Sequence, residues 1–499
     1  MNQIVLFGDT VNLSPRPTGI YVLASYLRSK GYTTQPIWGW NNINEEQFEA
    51  LCTKYISEET RVVGLSTTLL ENGLHDFYGV DIEVFEQRIK FIKGINPNVK
   101  IVIGGSKIRY VLAKNIPRLD LIDYVVKGQG ESALLWVVEN YDAPVEKKFI
   151  DDDEYKFDEF CESTIAFDEK DELYPKESMF FEFARGCIFK CSYCSYHIKG
   201  KKRNEFSKEL QSLKQDLISN YEKFGIQYYH ATDDLINDSL EKVEEIHNVF
   251  QQLPFKIQYS GYTRLDLIWR YPETAKMLKE SGLMSTYFGI ESINDKSAKI
   301  VGKGLGIERI NEGLATCSEA WGNDVHLTCS FILGLPFHNP DTKYELMEWL
   351  DRPINKKLIN NISVTPLHFH PEMATTELDA NPGKFGYFYK SKSKTGPVWL
   401  PGVLVKSGDW YTKDYSFQEA VVDKDLVVSN FLKDRKFKTR LTTFNLPLFL
   451  SLSSRKDEIL DVVMRDKSTF WNSDEEWTAY VHSVYANHKR NYLNRLLSV

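Results

Sequence analysis

The 499-residue chain lacks an apolar run long enough to cross a bilayer, so no membrane-spanning helix is expected. The stretch from Met1 to Phe7 has neither the basic n-region nor the long apolar core of a secretory signal. Cysteine is scarce. Seven residues in so long a chain make no disulfide framework, and an odd number suits a reducing compartment, so the expected location is the cytoplasm. Positive charge is not in excess either. A formal net charge of −8 gives no global attraction to phosphate backbones, and nucleic acid is not indicated as a partner. No internal repeat or low-complexity tract interrupts the chain.

What is present is ordinary for folded protein: 42% hydrophobic and 26% charged residues. The length exceeds what one hydrophobic core usually supports, so more than one domain is expected. The first part alternates apolar runs with helical patterns: strands are predicted at Ile4–Gly8, Thr34–Trp38, Val62–Thr67, Lys100–Gly104 and Tyr124–Lys127. Strand and helix in alternation imply a Rossmann-like parallel sheet with helices on both faces, assigned to residues 1–145. Residues 146–176, with the run Asp151 to Glu154, read as a solvated acidic linker. From residue 177 to 378 the alternation restarts. Strands are predicted at Met179–Ala184, Gln227–Ala231, Lys256–Gly261, Thr286–Ile290, His326–Leu333 and Ile362–Leu367, six β/α units that suggest a partial TIM barrel with its site at the strand C-termini. Residues 379–499 read as a mixed, mostly helical C-terminal region, α/β overall giving way to α.

Three of the seven cysteines fall within eight residues. The segment Arg185-Gly-Cys-Ile-Phe-Lys-Cys-Ser-Tyr-Cys194 places Cys187, Cys191 and Cys194 as C-x3-C-x2-C directly after a predicted strand. One loop can then wrap an iron–sulfur cluster with soft thiolate ligands, and three ligands on a four-iron cluster leave one iron open to a small molecule. The competing reading is structural zinc, since His197 would complete a Cys3His tetrahedron. Zinc loops of that kind usually serve small domains without a core, whereas this loop opens a large α/β unit. Cys52 and Cys317 lie on apolar helical stripes and Cys329 in a strand, which are core positions; Cys161 carries no signal.

The cysteine segment resembles the radical S-adenosylmethionine (SAM) superfamily. That resemblance implies a 4Fe-4S cluster held by Cys187, Cys191 and Cys194, whose open iron chelates the amino and carboxylate groups of SAM. It implies reductive cleavage of a C–S bond to a 5′-deoxyadenosyl radical, and an electron donor such as flavodoxin or ferredoxin. Further segments extend the likeness. Tyr193 is similar to the aromatic that packs near adenine, and Ala231-Thr-Asp-Asp234 puts Asp233 and Asp234 where the family has polar residues around the SAM amino group. Phe288-Gly-Ile-Glu-Ser292 resembles the fourth-strand motif, with Glu291 and Ser292 toward ribose and amino acid, followed by Lys303-Gly304. Ser330-Phe-Ile-Leu-Gly-Leu-Pro336 resembles the fifth-strand motif, with Gly334 along adenine. On the residues alone, Asp233 and Asp234 serve equally as a helix cap, Glu291 as a structural ion pair, and Gly334 and Pro336 as turn formers. Arg264, His368 and His370 follow predicted strands and are candidates for cofactor or substrate.

Ile101-Val-Ile-Gly-Gly105, Tyr124-Val-Val-Lys-Gly-Gln-Gly-Glu131 and the stretch from Gly19 to Gly31 resemble the cobalamin-binding domain fused ahead of many radical SAM enzymes. The resemblance places Ser66, Thr67, Gly104, Gly105 and Ser106 against the corrin. It departs from the Asp-x-His-x-x-Gly pattern, because no histidine occurs before His75. Cobalamin would therefore sit there without a histidine ligand from the first loop, and a domain that holds no cofactor is the alternative. The implied activity is a cobalamin-dependent methyltransferase acting on an unactivated carbon of a small-molecule or peptide substrate. Cobalamin-free oxidation, rearrangement or sulfur insertion, and a zinc-stabilised binding protein, are the alternatives. Only Cys52 and Cys161 precede the motif and no cysteine follows Cys329, so neither the extra cluster of methylthiotransferases nor a C-terminal auxiliary cluster is expected.

Overall fold

The computed structural model describes residues 2–10, 13–70, 81–105, 108, 116, 118–151, 155–196, 198–369, 376–389, 410–438 and 441–498. They fall into two compact units. One gathers the chain up to Pro175 together with Ala486–Val499, and the other holds the described residues from Lys176 to Tyr485.

The first unit is built on six parallel strands, β1 (Ile4–Gly8), β2 (Thr34–Trp38), β3 (Val62–Ser66), β4 (Lys100–Gly104), β5 (Tyr124–Lys127) and β6 (Phe149–Asp151). Their spatial order is β2-β1-β3-β4-β5-β6. Parallel strands are covered on both faces, and β1 is accordingly buried at every position. Pro36, which cannot donate to a ladder, sits in the edge strand β2. Helices Thr18–Ser29, Glu45–Tyr55, Ile82–Ile95 and Glu131–Glu139 supply the crossovers. The chain order reverses between β1 and β3, the switch point beyond whose strand ends open α/β sheets bind ligands.

The segment expected to be a solvated linker is different. Phe149–Asp151 adds the sixth strand, and Phe157, Phe160, Ile165, Phe167 and Leu173 are buried. Its acid Asp171 is 1% exposed and takes a two-pronged bond from Arg28 at 2.8 and 3.1 Å. Apolar residues spaced among the acids give this stretch a face to bury, and burial outweighs its charge. Asp152, Asp153 and Glu154 lie outside the described residues.

The second unit holds six further parallel strands, β7 (Met179–Phe181), β8 (Tyr228–Ala231), β9 (Gln258–Thr263), β10 (Leu283–Glu291), β11 (His326–Leu333) and β12 (Asn361–Pro366). They are hydrogen-bonded in simple sequence order, as in a partial barrel. Helices Leu210–Phe224, Leu240–Gln251, Leu265–Arg270, Glu273–Glu280, Ile307–Trp321 and Thr342–Leu350 lie between them in sequence. Two C-terminal helices join this unit because they complete its core. Phe417–Leu432 packs on β12, and Leu446–Leu452 packs on β8 and β9. Just before the latter, Thr443 is fully buried, its hydroxyl 2.9 Å from both the Thr286 carbonyl and the Thr328 hydroxyl.

Candidate cofactor site

The chain leaves β7 and is gripped by two aspartates at the end of β8. Asp233 accepts the backbone N–H groups of Phe183 and Ala184 at 2.8 and 2.9 Å, and Asp234 accepts that of Gly186 at 3.0 Å. Gly186 then turns through φ +80°, where an added Cβ would stand 2.5 Å from Ile198 Cβ and 2.8 Å from its carbonyl oxygen. The loop closes on itself: Cys187 N–H donates to the Ile198 carbonyl, Gly200 N–H to that of Cys187, and Cys194 N–H to that of Cys191. Short cysteine spacing thus becomes a compact loop whose three thiols face one cavity of about 260 Å³.

Cys187, Cys191 and Cys194 share that cavity with Phe189, Tyr193, Tyr196, Asp234, Tyr262, Arg264, Tyr287, Glu291 and Lys303. All three cysteines are free thiols. Burial pushes the Cys187 thiol up and that of Cys194 up to about 11, so a bound cation is what would favour their thiolates. Among the described residues no three His, Cys, Asp or Glu side chains converge on a single-ion position. The three thiols line one cavity, which suits a cluster in which each cysteine would bind its own iron. The donor chemistry and the shared cavity fit a 4Fe-4S group. His197, the fourth ligand of the zinc alternative, lies outside the described residues.

Opposite the cysteine loop, β10 ends in a register shift between Gly289 and Glu291. Glu291 adopts φ +67°, an uncommon backbone for a non-glycine residue, and its side chain folds back over Gly289, where any Cβ would collide with it. It accepts from Ser330 Oγ at 3.1 Å and stands 3.9 Å from Lys303 Nζ. Burial raises the Glu291 carboxyl, with Lys303 acting against it. Burial, then the charge of Glu291, holds the Tyr193 phenol well above its ordinary value. Asp234 is pushed up to about 6 by burial and by its neighbour Asp233. Carboxylates at the strand ends beside a lysine make a polar wall suited to amino, carboxylate and hydroxyl groups.

Of the residues the sequence assigned to SAM, Tyr193, Asp234 and Glu291 line this cavity, and so does Arg264, the candidate for cofactor or substrate. Three do not, each for a visible reason. Asp233 is 1% exposed, and besides its two backbone bonds it pairs with Lys242 Nζ at 3.1 Å, so its oxygens are spent inside the fold. Ser292 Oγ meets His338 Nε2 at 3.0 Å and accepts from Asn294 N–H. Gly334 lies under Trp410, with its N–H donated to His338 Nδ1 and its carbonyl accepting Tyr387 Oη at 2.6 Å. Because Nδ1 accepts, the ring proton of His338 sits on Nε2 and is donated to Ser292. His368 is exposed, its ring against Phe417, and is not on the cavity wall; His370 lies outside the described residues.

Sequence reading missed Tyr196, Tyr262 and Tyr287. They bring an aromatic side to the cavity, and Phe444 backs it at 4.7 Å from Tyr262 and 5.5 Å from Tyr287, ring centre to ring centre. Strand alternation could have placed Tyr262 and Tyr287 inward once the registers were known. Nothing local in the sequence signals Phe444, which arrives from the far end of the chain.

In the first unit, β3 and β4 run side by side with Ser66 opposite Gly104. Thr67 is 1% exposed, and its hydroxyl is buried without a hydrogen-bond partner. It faces Gly105, which takes φ +124° and where a Cβ would stand 2.6 Å from Thr67 Oγ1. A buried hydroxyl left unpaired costs about 1–3 kcal/mol, so a polar partner arriving here would be favoured. The bare backbone of Gly104 and Gly105 beside an unspent donor fits close approach of a flat polar-edged group such as a corrin. Ser66 Oγ is already engaged, accepting from Thr68 Oγ1 at 2.9 Å, and Ser106 lies outside the described residues.

Comparison with known proteins bears on both units. The B12 binding domain family matches residues 4–138 and the radical SAM superfamily matches residues 181–350. A protein of Pyrococcus horikoshii described as an uncharacterized methyltransferase is 25% identical over 340 residues, 64% of this chain and 70% of that one. The anaerobic magnesium-protoporphyrin IX monomethyl ester cyclase of Cereibacter sphaeroides is 23% identical over 384 residues, 71% of this chain and 59% of its own length. Among solved structures, the radical SAM methyltransferase TsrM of Kitasatospora setae, with cobalamin and a [4Fe-4S] cluster bound, superposes with a TM-score of 0.60 at 14% identity, covering 98% of this chain and all of that one. The cobalamin-dependent radical enzyme OxsB, with aqua-cobalamin and SAM bound, gives a TM-score of 0.63 at 14% identity, covering 100% of this chain and 80% of its own. At such identities these structures speak to the fold. Together with the thiol-lined cavity at the strand ends of the second unit, the two family matches lead to one conclusion: the chain carries a B12-binding domain ahead of a radical SAM domain.

Proposed function

We propose that this chain is a cobalamin-dependent radical SAM methyltransferase acting on an unactivated carbon. The observation that carries the reading is the pairing of two preparations in one chain: three free thiols around one cavity, and an unpartnered Thr67 hydroxyl facing the bare backbone of Gly105. When bound, the 4Fe-4S cluster with SAM supplies reductive C–S cleavage and the cobalamin supplies a transferable methyl group. The chain's part is to hold and orient. Cys187, Cys191 and Cys194 are assigned to the cluster; Asp234, Glu291, Lys303 and Tyr193 are assigned to SAM. Thr67 and Gly105, with Ser66 and Gly104, are assigned to a corrin that has no histidine ligand from the first loop. Tyr196, Tyr262 and Tyr287 shield the radical side from water. A low-potential one-electron carrier of the flavodoxin or ferredoxin kind is the required reductant. The relative described as a methyltransferase supports methyl transfer, while the likeness to a cyclase supports a radical ring closure as the second reading.

The test is anaerobic reconstitution with iron, sulfide and hydroxocobalamin, followed by absorption spectroscopy of what survives gel filtration. Retention of both chromophores, with 5′-deoxyadenosine formed under reduction, is the expected result. A chain that keeps the cluster and rejects every corrin would overturn the cobalamin assignment.

A further inference from the structure

Arg264, the first residue after β9, is 6% exposed and more completely engaged than any role toward substrate needs. Its Nε and Nη2 hold the Asp266 carboxylate at 2.8 and 2.6 Å, and Nη2 also donates to the Lys303 carbonyl at 3.0 Å. The guanidinium carbon lies 3.7 Å from the ring centre of Phe189, a residue of the cysteine loop. The remaining arm, Nη1, points at Cys191 Sγ, 3.6 Å away and within reach of a hydrogen bond to sulfur. Cys191 is the most enclosed of the three thiols, and its sulfur also lies 3.6 Å from the Gly302 carbonyl.

We infer that Arg264 is a positioning residue that sets the reduction potential of the cluster through the Cys191 sulfur. The inference rests on the cluster assignment above. A guanidinium donating to a ligating thiolate withdraws electron density from sulfur and stabilises the more negative, reduced cluster, so it raises the potential. One electron arrives from the low-potential carrier; no bond is made or broken in this step. Asp266 works in the opposite sense by neutralising the guanidinium. The stack on Phe189 and the bond to Lys303 fix the fork, so the Nη1 donor stays aimed at sulfur without side-chain freedom to lose.

The pair gives shifts of opposite sign, which structural damage would not. The midpoint potential of the reconstituted holoenzyme is read by electron paramagnetic resonance at poised potentials, with iron per chain measured alongside. R264Q should lower the ratio of reduced to oxidised cluster at a fixed potential about tenfold, about 59 mV for a one-electron couple. D266N, which leaves the donor but frees its charge, should raise the ratio. R264K, which keeps charge but cannot span both partners, should fall between wild type and R264Q, and it decides the matter if R264Q takes up no cluster. Unchanged potentials in cluster-loaded variants, or D266N moving with R264Q, would overturn the proposal. A wild-type chain without an iron–sulfur signal would instead overturn the cluster assignment itself, a result the same experiment separates.

Discussion

Asp233→Asn tests whether the paired aspartates after β8 divide their labour between scaffold and site. Asp233 accepts Phe183 N–H on Oδ1 and Ala184 N–H and Lys242 Nζ on Oδ2. Asparagine offers only one acceptor oxygen, so its NH2 must face at least one of these donors. Lys242, 4% exposed, also loses its nearer carboxylate. Breaking a buried pair from one side costs about 3–5 kcal/mol. Asp238 remains 3.7 Å from the same ammonium, which argues for the lower end, about 3 kcal/mol. The assay is equilibrium unfolding in urea, reading the midpoint at constant m-value. D233N/K242M should recover much of the loss, since no cation is then stranded. D234N, whose residue faces the cavity, should change unfolding less and SAM binding more. A D233N chain as stable as wild type with SAM affinity abolished would contradict the scaffold role and return Asp233 to the cofactor.

Gly186→Ala should cut iron uptake severely, because alanine pays about 1–2 kcal/mol for the left-handed backbone before it meets Ile198; metal analysis after reconstitution checks this. Thr67→Val removes an unpaired buried hydroxyl, so the apo chain should gain or hold stability while corrin affinity falls about tenfold, read by unfolding and by equilibrium binding. His230 is half-buried beside Phe444 with its Nδ1 3.0 Å from Ser260 Oγ, and desolvation lowers it to about 4 against an ordinary 6.5. The unfolded chain therefore binds this proton first, and the stability present above pH 6.5 is lost as pH falls from 6.5 toward 4. His230→Gln should flatten that part of the unfolding-against-pH curve by at most about 3 kcal/mol, with His326 and His338, both lowered to about 3 by burial, contributing the remainder.

Most strands were legible because parallel strands buried on both faces read as short apolar runs, and β1 to β5 stand where the sequence put them to within a residue. The sixth was not legible: Phe149–Asp151 is a three-residue edge strand running into a string of acids, and charge masked its pattern. The cysteine loop was legible from spacing alone. Asp233 and Asp234 could not be separated, because which of two neighbours faces inward depends on how the backbone enters the turn after β8. That Ser292 and Gly334 are tied to His338, Tyr387 and Trp410 and do not line the cavity was not legible for a related cause: those partners come from later segments that no local pattern connects to them. The aromatic side of the cavity was missed because it is assembled from four separate stretches of chain.

The proposed function requires that three thiolates of one loop hold a four-iron cluster with one iron open to SAM. The most direct measurement is iron and sulfide content with electron paramagnetic resonance of the reduced, anaerobically reconstituted protein, with and without SAM, for wild type and each cysteine variant. The expected result is a cluster signal that SAM perturbs, lost in C187A, C191A and C194A and kept in C52A and C161A. Zinc in place of iron in the wild type, or a C191A chain that retains both the cluster and its response to SAM, would contradict it.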